Sequence, residues 1–181
     1  MATNFWTSAV MKDPKRKFRF VVSLLGYGNG AAKWYAKTVT KPKFSITETA
    51  HSYLNHKFYY PGRTEWQTVD VTLVDPLQPD AMATTMAIIQ AAGYHPPRNA
   101  DDMSTMSKQR ATSALQGVVI EQLDSDGNAV ETWTLKNAFI TNVDTQDLSY
   151  EADELSEISL TIRYDWAVLT GYGGGEYFAT A

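Results

Sequence analysis

The chain has no cysteine among its 181 residues. That excludes disulfide staples, thiolate metal sites and cysteine nucleophiles together, and it fits folding under reducing conditions. Histidine is nearly as scarce, at three residues. His51 and His56 lie five apart in a polar connection and His95 precedes two prolines; neither arrangement matches a metal-binding spacing. No apolar run approaches the ~18 residues of a membrane-spanning helix. The opening Met1-Ala2-Thr3-Asn4-Phe5-Trp6 lacks the basic-then-apolar order of a secretory signal. A chain with no membrane anchor is expected.

Catalytic signatures are missing as well. The glycines in Gly26-Tyr27-Gly28-Asn29-Gly30 are not followed by Lys-Ser/Thr or a helix start, so they read as a turn rather than a phosphate cradle. Asp124, Asp126 and Asn128 imitate a calcium loop, but Gly127 is misplaced and the twelfth position is Leu135 instead of a glutamate. No G-x-S-x-G elbow nominates a nucleophile. The acids between 144 and 157 lack a partner set apart in apolar surroundings, as paired-carboxylate chemistry would require. No catalytic, cofactor or metal residue is nominated, and an enzyme is not expected.

What is present is ordinary globular composition: 44% hydrophobic and 20% charged residues. A chain of 20.2 kDa suits one domain burying roughly 70% of its unfolded surface. The net charge of −4 conceals an asymmetry. Residues 1–65 carry eleven Lys or Arg against three acids, whereas residues 66–181 carry five against seventeen. If the halves reach different faces, one copy attracts another head to tail; if they intermingle, the asymmetry says little about association.

Alternation of apolar and polar residues marks most of the chain as strand. Phe18, Phe20, Val22 and Leu24 form one such run, and another spans about 34–40. Phe44 and Ile46, then Phe58 and Tyr60, form the two arms of a long hairpin that ends at Pro61-Gly62. Val69, Val71 and Leu73 continue the pattern. One helix is predicted, capped by Asp80, with Met82, Met86 and Ile89 at helical spacing and Gly93 at its end. Strands at 118–123 and 130–135 flank a tight turn at Asp126-Gly127. A strand at 138–143, an acidic connection, and a strand through Ile158, Leu160, Ile162, Tyr164 and Trp166 follow. The fold class is therefore mostly β, an antiparallel β-sandwich or barrel with one packed α-helix. Residues 1–16 read as an N-terminal arm and 17–169 as the β domain. A long external loop lies at about 94–113, and 170–181 reads as a flexible tail.

These pieces, in this order, resemble the tail tube protein of contractile-tailed bacteriophages over roughly residues 5–169. The resemblance is carried by Phe18-Arg19-Phe20-Val21-Val22, by Lys57-Phe58-Tyr59-Tyr60-Pro61-Gly62-Arg63-Thr64-Glu65-Trp66 leading into Val69-Asp70-Val71-Thr72-Leu73, and by Tyr164-Asp165-Trp166. It implies hexameric rings, with sheets joining between subunits, stacked head to tail into the inner tube of a contractile tail. Sheath, baseplate, tail-terminator and tape measure proteins would be partners, DNA would pass down the lumen, and the product would reside in the virion after assembly in the host cytoplasm. No cofactor is implied. By the same analogy Ser45, Thr47, Ser159 and Thr161 would face the lumen, with Phe44, Ile46, Leu160 and Ile162 in the core. Lys57 would be a departure if it faced the lumen, since a basic wall would bind phosphates. Phe5, Trp6, Glu48, His51, Tyr53 and His56 are the expected contacts between subunits or rings. Two alternatives stand beside this: a tube protein of a type VI secretion system or phage-derived bacteriocin, and a monomeric β-sandwich ligand-binding module.

Overall fold

The computed structural model describes residues 14–27, 35–97, 99, 103–151 and 153–180. Eleven strands and two α-helices run through them. The strands are β1 (Phe20–Leu24), β2 (Ala36–Val39), β3 (Phe44–Tyr53), β4 (His56–Trp66), β5 (Val69–Val74), β6 (Val118–Leu123), β7 (Ala129–Lys136), β8 (Phe139–Thr145), β9 (Glu157–Arg163), β10 (Trp166–Gly171) and β11 (Glu176–Tyr177). The helices are α1 (Ala81–Ala91) and α2 (Lys108–Leu115). One sheet has the order β1-β6-β7-β10-β11, a second β2-β5-β9-β8, and β3-β4 stands apart as a two-stranded hairpin. All pairings are antiparallel.

The core lies between the two larger sheets. Val22, Leu24, Val118, Ile120 and Leu135 from the first meet Val69, Val71, Leu73, Ile158, Leu160 and Ile162 from the second. Alternation explains the choice: successive side chains point to opposite faces, so β5 and β9 bury every second residue.

The chain changes sheet twice at one corner. β7 leaves the first sheet and continues as β8 in the second; β9 leaves the second and continues as β10 in the first. Asp165 secures both passages. Its carboxylate accepts hydrogen bonds from Asn137 Nδ2 (2.8 Å) and Lys108 Nζ (2.6 Å), and its backbone N–H donates to the Lys136 carbonyl (3.1 Å). The expected single strand from Ile158 to Trp166 is therefore two strands in different sheets. Alternation survives the corner because Tyr164 stays buried there.

Helix α1 begins where the sequence places it. Asp80 caps it by accepting from Ala83 N–H (2.7 Å), and Gly93 follows its end with φ +106°, a conformation glycine adopts without strain. Asp80→Ala is expected to cost about 1 kcal/mol in urea unfolding. Helix α2 begins within the span read as an external loop and runs past its end, to Leu115. Only Ala111 and Leu115 of its residues are buried, too short an apolar stripe to show as helical periodicity. Its cap is Ser107, which accepts from Arg110 N–H (3.3 Å).

Candidate assembly surface

The hairpin β3–β4 is the outstanding feature of the surface. Every residue from 44 to 65 is exposed, although the strands themselves are long and regularly paired. Seven large apolar side chains stand in water: Phe44, Ile46, Tyr53, Leu54, Phe58, Tyr59 and Tyr60. A lone two-stranded ribbon is marginal in water, and an apolar surface of this kind marks a contact site.

Register assigns the side chains to two faces. Cross-strand partners share a face, so Ser45, Thr47, Thr49, His51 and Tyr53 lie with Glu65, Tyr60, Phe58 and His56. Phe44, Ile46, Glu48, Ala50 and Ser52 lie on the other face with Trp66, Thr64, Pro61, Tyr59 and Lys57. Lys57 is thus on the face opposite Ser45 and Thr47. Large apolar groups occur on both faces. A partner covering one face alone would leave the other wet.

A bulge sits between the Ile46–Thr64 and Glu48–Pro61 pairs. There Thr47 Oγ1 accepts from Arg63 N–H (2.9 Å). Gly62 faces it, where an added Cβ would stand 2.9 Å from the Thr47 carbonyl oxygen. Only glycine tolerates that approach.

The hairpin is rooted by aromatic packing. Trp66 lies 5.1 Å from Phe44, 5.9 Å from Tyr164 and 5.8 Å from Phe178 between ring centroids. Phe44 is therefore half-exposed at the root, and Ile46 is 54% exposed; neither joins the core between the sheets as expected. Phe178 comes from the stretch read as a flexible tail, where β11 pairs with the end of β10.

An ionic clamp holds the other side of the root. Lys41, just before β3, donates to Glu131 Oε1 (2.6 Å) and Gln122 Oε1 (2.6 Å), and Lys15 bonds the second Glu131 oxygen. Trp133 Nε1 also donates to Glu131 (2.7 Å). Burial alone would push this carboxyl up, but the hydrogen bonds from Lys15, Lys41 and Trp133 outweigh it and hold the pKa at about 2, down from 4.5. A folded-state value below the ordinary one stabilises fully above pH 4.5, and the effect is lost as pH falls towards 2. Glu131→Gln is expected to cost about 1–2 kcal/mol at pH 7, screening included. It should also reduce the loss of stability on acidification from pH 4.5 to 2. Urea unfolding across that range checks both.

The basic and acidic halves intermingle. Lys15–Glu131, Lys41–Glu131 and Lys37–Glu157 each join a base of the first 65 residues to a later acid. Three of the eleven early bases are thus paired within one chain. Asp124 is likewise committed locally: it accepts from the backbone N–H groups of Asp126 and Asn128 (both 2.8 Å), as a turn requires. Among the described residues no group of three or more His, Cys, Asp or Glu gathers as metal ligands.

Of the residues singled out in the sequence, Ser159 and Thr161 lie on the face of β9 turned away from the core, beside Asp70 and Thr72 of β5. Thr161 Oγ1 donates to Asp70 Oδ1 (2.9 Å). Ser45 and Thr47 share one face of the hairpin, while Glu48, His51, Tyr53 and His56 are exposed further along it. Phe5 and Trp6 lie outside the described residues. Trp66 and Tyr164 entered the sequence reading only within strand motifs, and Phe178 and the Glu131 clamp not at all, because only the folded chain brings them to the hairpin.

No family model matches the sequence, and no curated protein matches it. Solved structures do. A chain of the anti-feeding prophage baseplate matches 90% of this chain and 99% of its own length, with 14% identity and a TM-score of 0.65. A chain of the anti-feeding prophage tube-terminating cap matches 94% and 99%, with 14% identity and a TM-score of 0.65. A chain of the PVC sheath–tube complex, from an extracellular contractile injection system in the extended state, matches 94% and 99%, with 15% identity and a TM-score of 0.61. This protein therefore has the fold shared by chains of the anti-feeding prophage and of an extracellular contractile injection system.

Proposed function

We propose that this chain is a structural, non-enzymatic tube subunit of a contractile tail, forming hexameric rings that stack head to tail and conduct DNA. The observation that carries it is the hairpin β3–β4, with exposed aromatic and aliphatic groups on both faces. Its strand edges add to this. Among the described residues the outer side of β8 has no partner, and neither does either outer side of the hairpin. Unpaired edges favour pairing with another chain, and closing six copies into a ring satisfies them all.

The face of β5 and β9 turned from the core supplies a suitable channel wall. It presents Asp70, Thr72, Ser159 and Thr161, joined by Asn142 and Asp144 of β8. Such a wall offers hydroxyls and carboxylates to a passing polyanion, so phosphates are not held. Ser45 and Thr47 extend that wall onto the hairpin. Phe5, Trp6, Glu48, His51, Tyr53 and His56 make contacts between subunits or rings. On this reading sheath, baseplate, terminator and tape measure proteins complete the particle, a virion.

A second reading keeps the tube and changes the cargo: an injection device that carries no genome. The matched structures from an extracellular contractile injection system favour it. Native mass spectrometry of the full chain tests the ring common to both readings. Species of six 20.2 kDa chains are expected; a monomer at every concentration, with assembled tail ends added as nuclei, would contradict it.

A further inference from the structure

We propose that the loop joining β8 to β9 docks on the Lys15–Arg19 end of a second copy, so that rings engage head to tail through these two patches. The inference rests on the tube reading above and specifies its stacking contact.

The loop combines two properties that are costly together in a lone subunit. Leu148 is 92% exposed, Tyr150 is fully exposed and Leu155 is 70% exposed. They stand among five acids and no base between residues 144 and 156; a sixth, Glu157, opens β9 and is paired with Lys37. Charge keeps such a surface soluble while the apolar groups await cover.

The complementary patch is on the same molecule. Residues 14–19 hold four bases and no acid, Lys15 among them being already paired with Glu131. Among them Phe18 is 74% exposed, with the Arg19 guanidinium 5.5 Å from its ring centre. It is an apolar group in a basic field, as the loop is an apolar group in an acidic one.

Their placement decides the mode of contact. At one end of the second sheet, Lys37 of β2 pairs with Glu157, and Asp75, after β5, donates its N–H to the Ser156 carbonyl (2.9 Å). The acidic loop is fixed at that end. At the other end, Thr40 follows β2 and its hydroxyl accepts from Asp70 N–H (2.8 Å). Lys41 there reaches the same Glu131 that holds Lys15. The basic patch is fixed at this end. The two patches thus occupy opposite ends of β2 and β5. A second copy displaced along those strands presents its basic end to the first copy's acidic loop. Such a contact is heterologous and does not close, so it propagates as a filament. Opposite fields also set its polarity, because like ends repel.

The absence of native cysteine gives a clean test. Phe18→Cys and Leu148→Cys are made singly and together in the full chain, and a short bis-maleimide is added under assembly conditions. Both positions are exposed, so the fold is retained. The double variant is expected to give a ladder of cross-linked multimers on a denaturing gel. An equal mixture of the single variants is expected to give dimers, at least tenfold more than either alone. Dimers from Leu148→Cys alone would overturn the proposal, since the loop would then meet its own copy. Six-chain rings without a ladder would overturn it and leave the tube reading standing. A chain that stays monomeric and gives no ladder would take down both.

Discussion

Replacing residues 47–63 by Asn-Gly is expected to abolish ring and filament formation while leaving the β domain folded. The shortened hairpin retains the pairs Phe44–Trp66, Ser45–Glu65 and Ile46–Thr64, and Asn-Gly is a favoured two-residue connection between antiparallel strands. What is removed contributes no buried residue: every residue from 47 to 63 is exposed. The core between the sheets loses no buried side chain, so thermal unfolding of the monomer should move by only a few degrees. Assembly should behave differently. Tyr53, Leu54, Phe58, Tyr59 and Tyr60 are removed together with the outer strand edges, and each large apolar side chain that a neighbour buries is worth roughly 1.5–3 kcal/mol. Static light scattering separates the outcomes. A shortened chain that still forms rings would show that the hairpin is not the assembly element.

Trp66→Ala should weaken both the fold and the assembly, through the hairpin root. The indole contacts rings from three distant parts of the sequence: Phe44, Tyr164 and Phe178. Truncating a buried Trp costs about 3–5 kcal/mol. Trp66 is half-buried, so about 2–3 kcal/mol is expected, which lowers Tm by roughly 5–10 °C in a chain of this size. Trp66→Phe should restore most of the loss, because offset and edge-on ring contacts persist. With the root loosened, the hairpin pays additional ordering entropy on meeting a neighbour. The concentration needed for assembly should therefore rise with Trp66→Ala even at temperatures where the monomer is folded. Calorimetry and light scattering on the same samples check the two effects.

The sequence makes some of this readable and hides the rest for physical reasons. Alternation locates β3, β4, β5 and β9, and local chemistry locates the Asp80 cap and the Asp126-Gly127 turn, because each depends on residues close in the chain. Sheet membership is not local. The strand pattern through Tyr164 is unbroken, and the change of sheet at Asp165 depends on Lys108 and Asn137, 57 and 28 residues earlier. The Glu131 clamp joins residues 116 and 90 apart. Phe178 looks like part of a glycine-rich end until β11 pairs with β10 and carries it to Trp66. Alternation also cannot say which apolar face has a partner in the same chain. Phe44 and Ile46 have the pattern of core residues, but Ile46 is 54% exposed and lies outside the core that the described residues form. On the proposed tube reading that discrepancy is informative, since strand-like periodicity without intrachain burial is what an interface strand would show.

The most direct test of the central claim is electron microscopy of the purified full chain across a concentration series, with assembled tail ends added as nuclei at the highest concentration. Sixfold hollow rings, elongating into tubes as concentration rises, are the predicted result. Particles of single-chain size at every concentration, nuclei included, would contradict it.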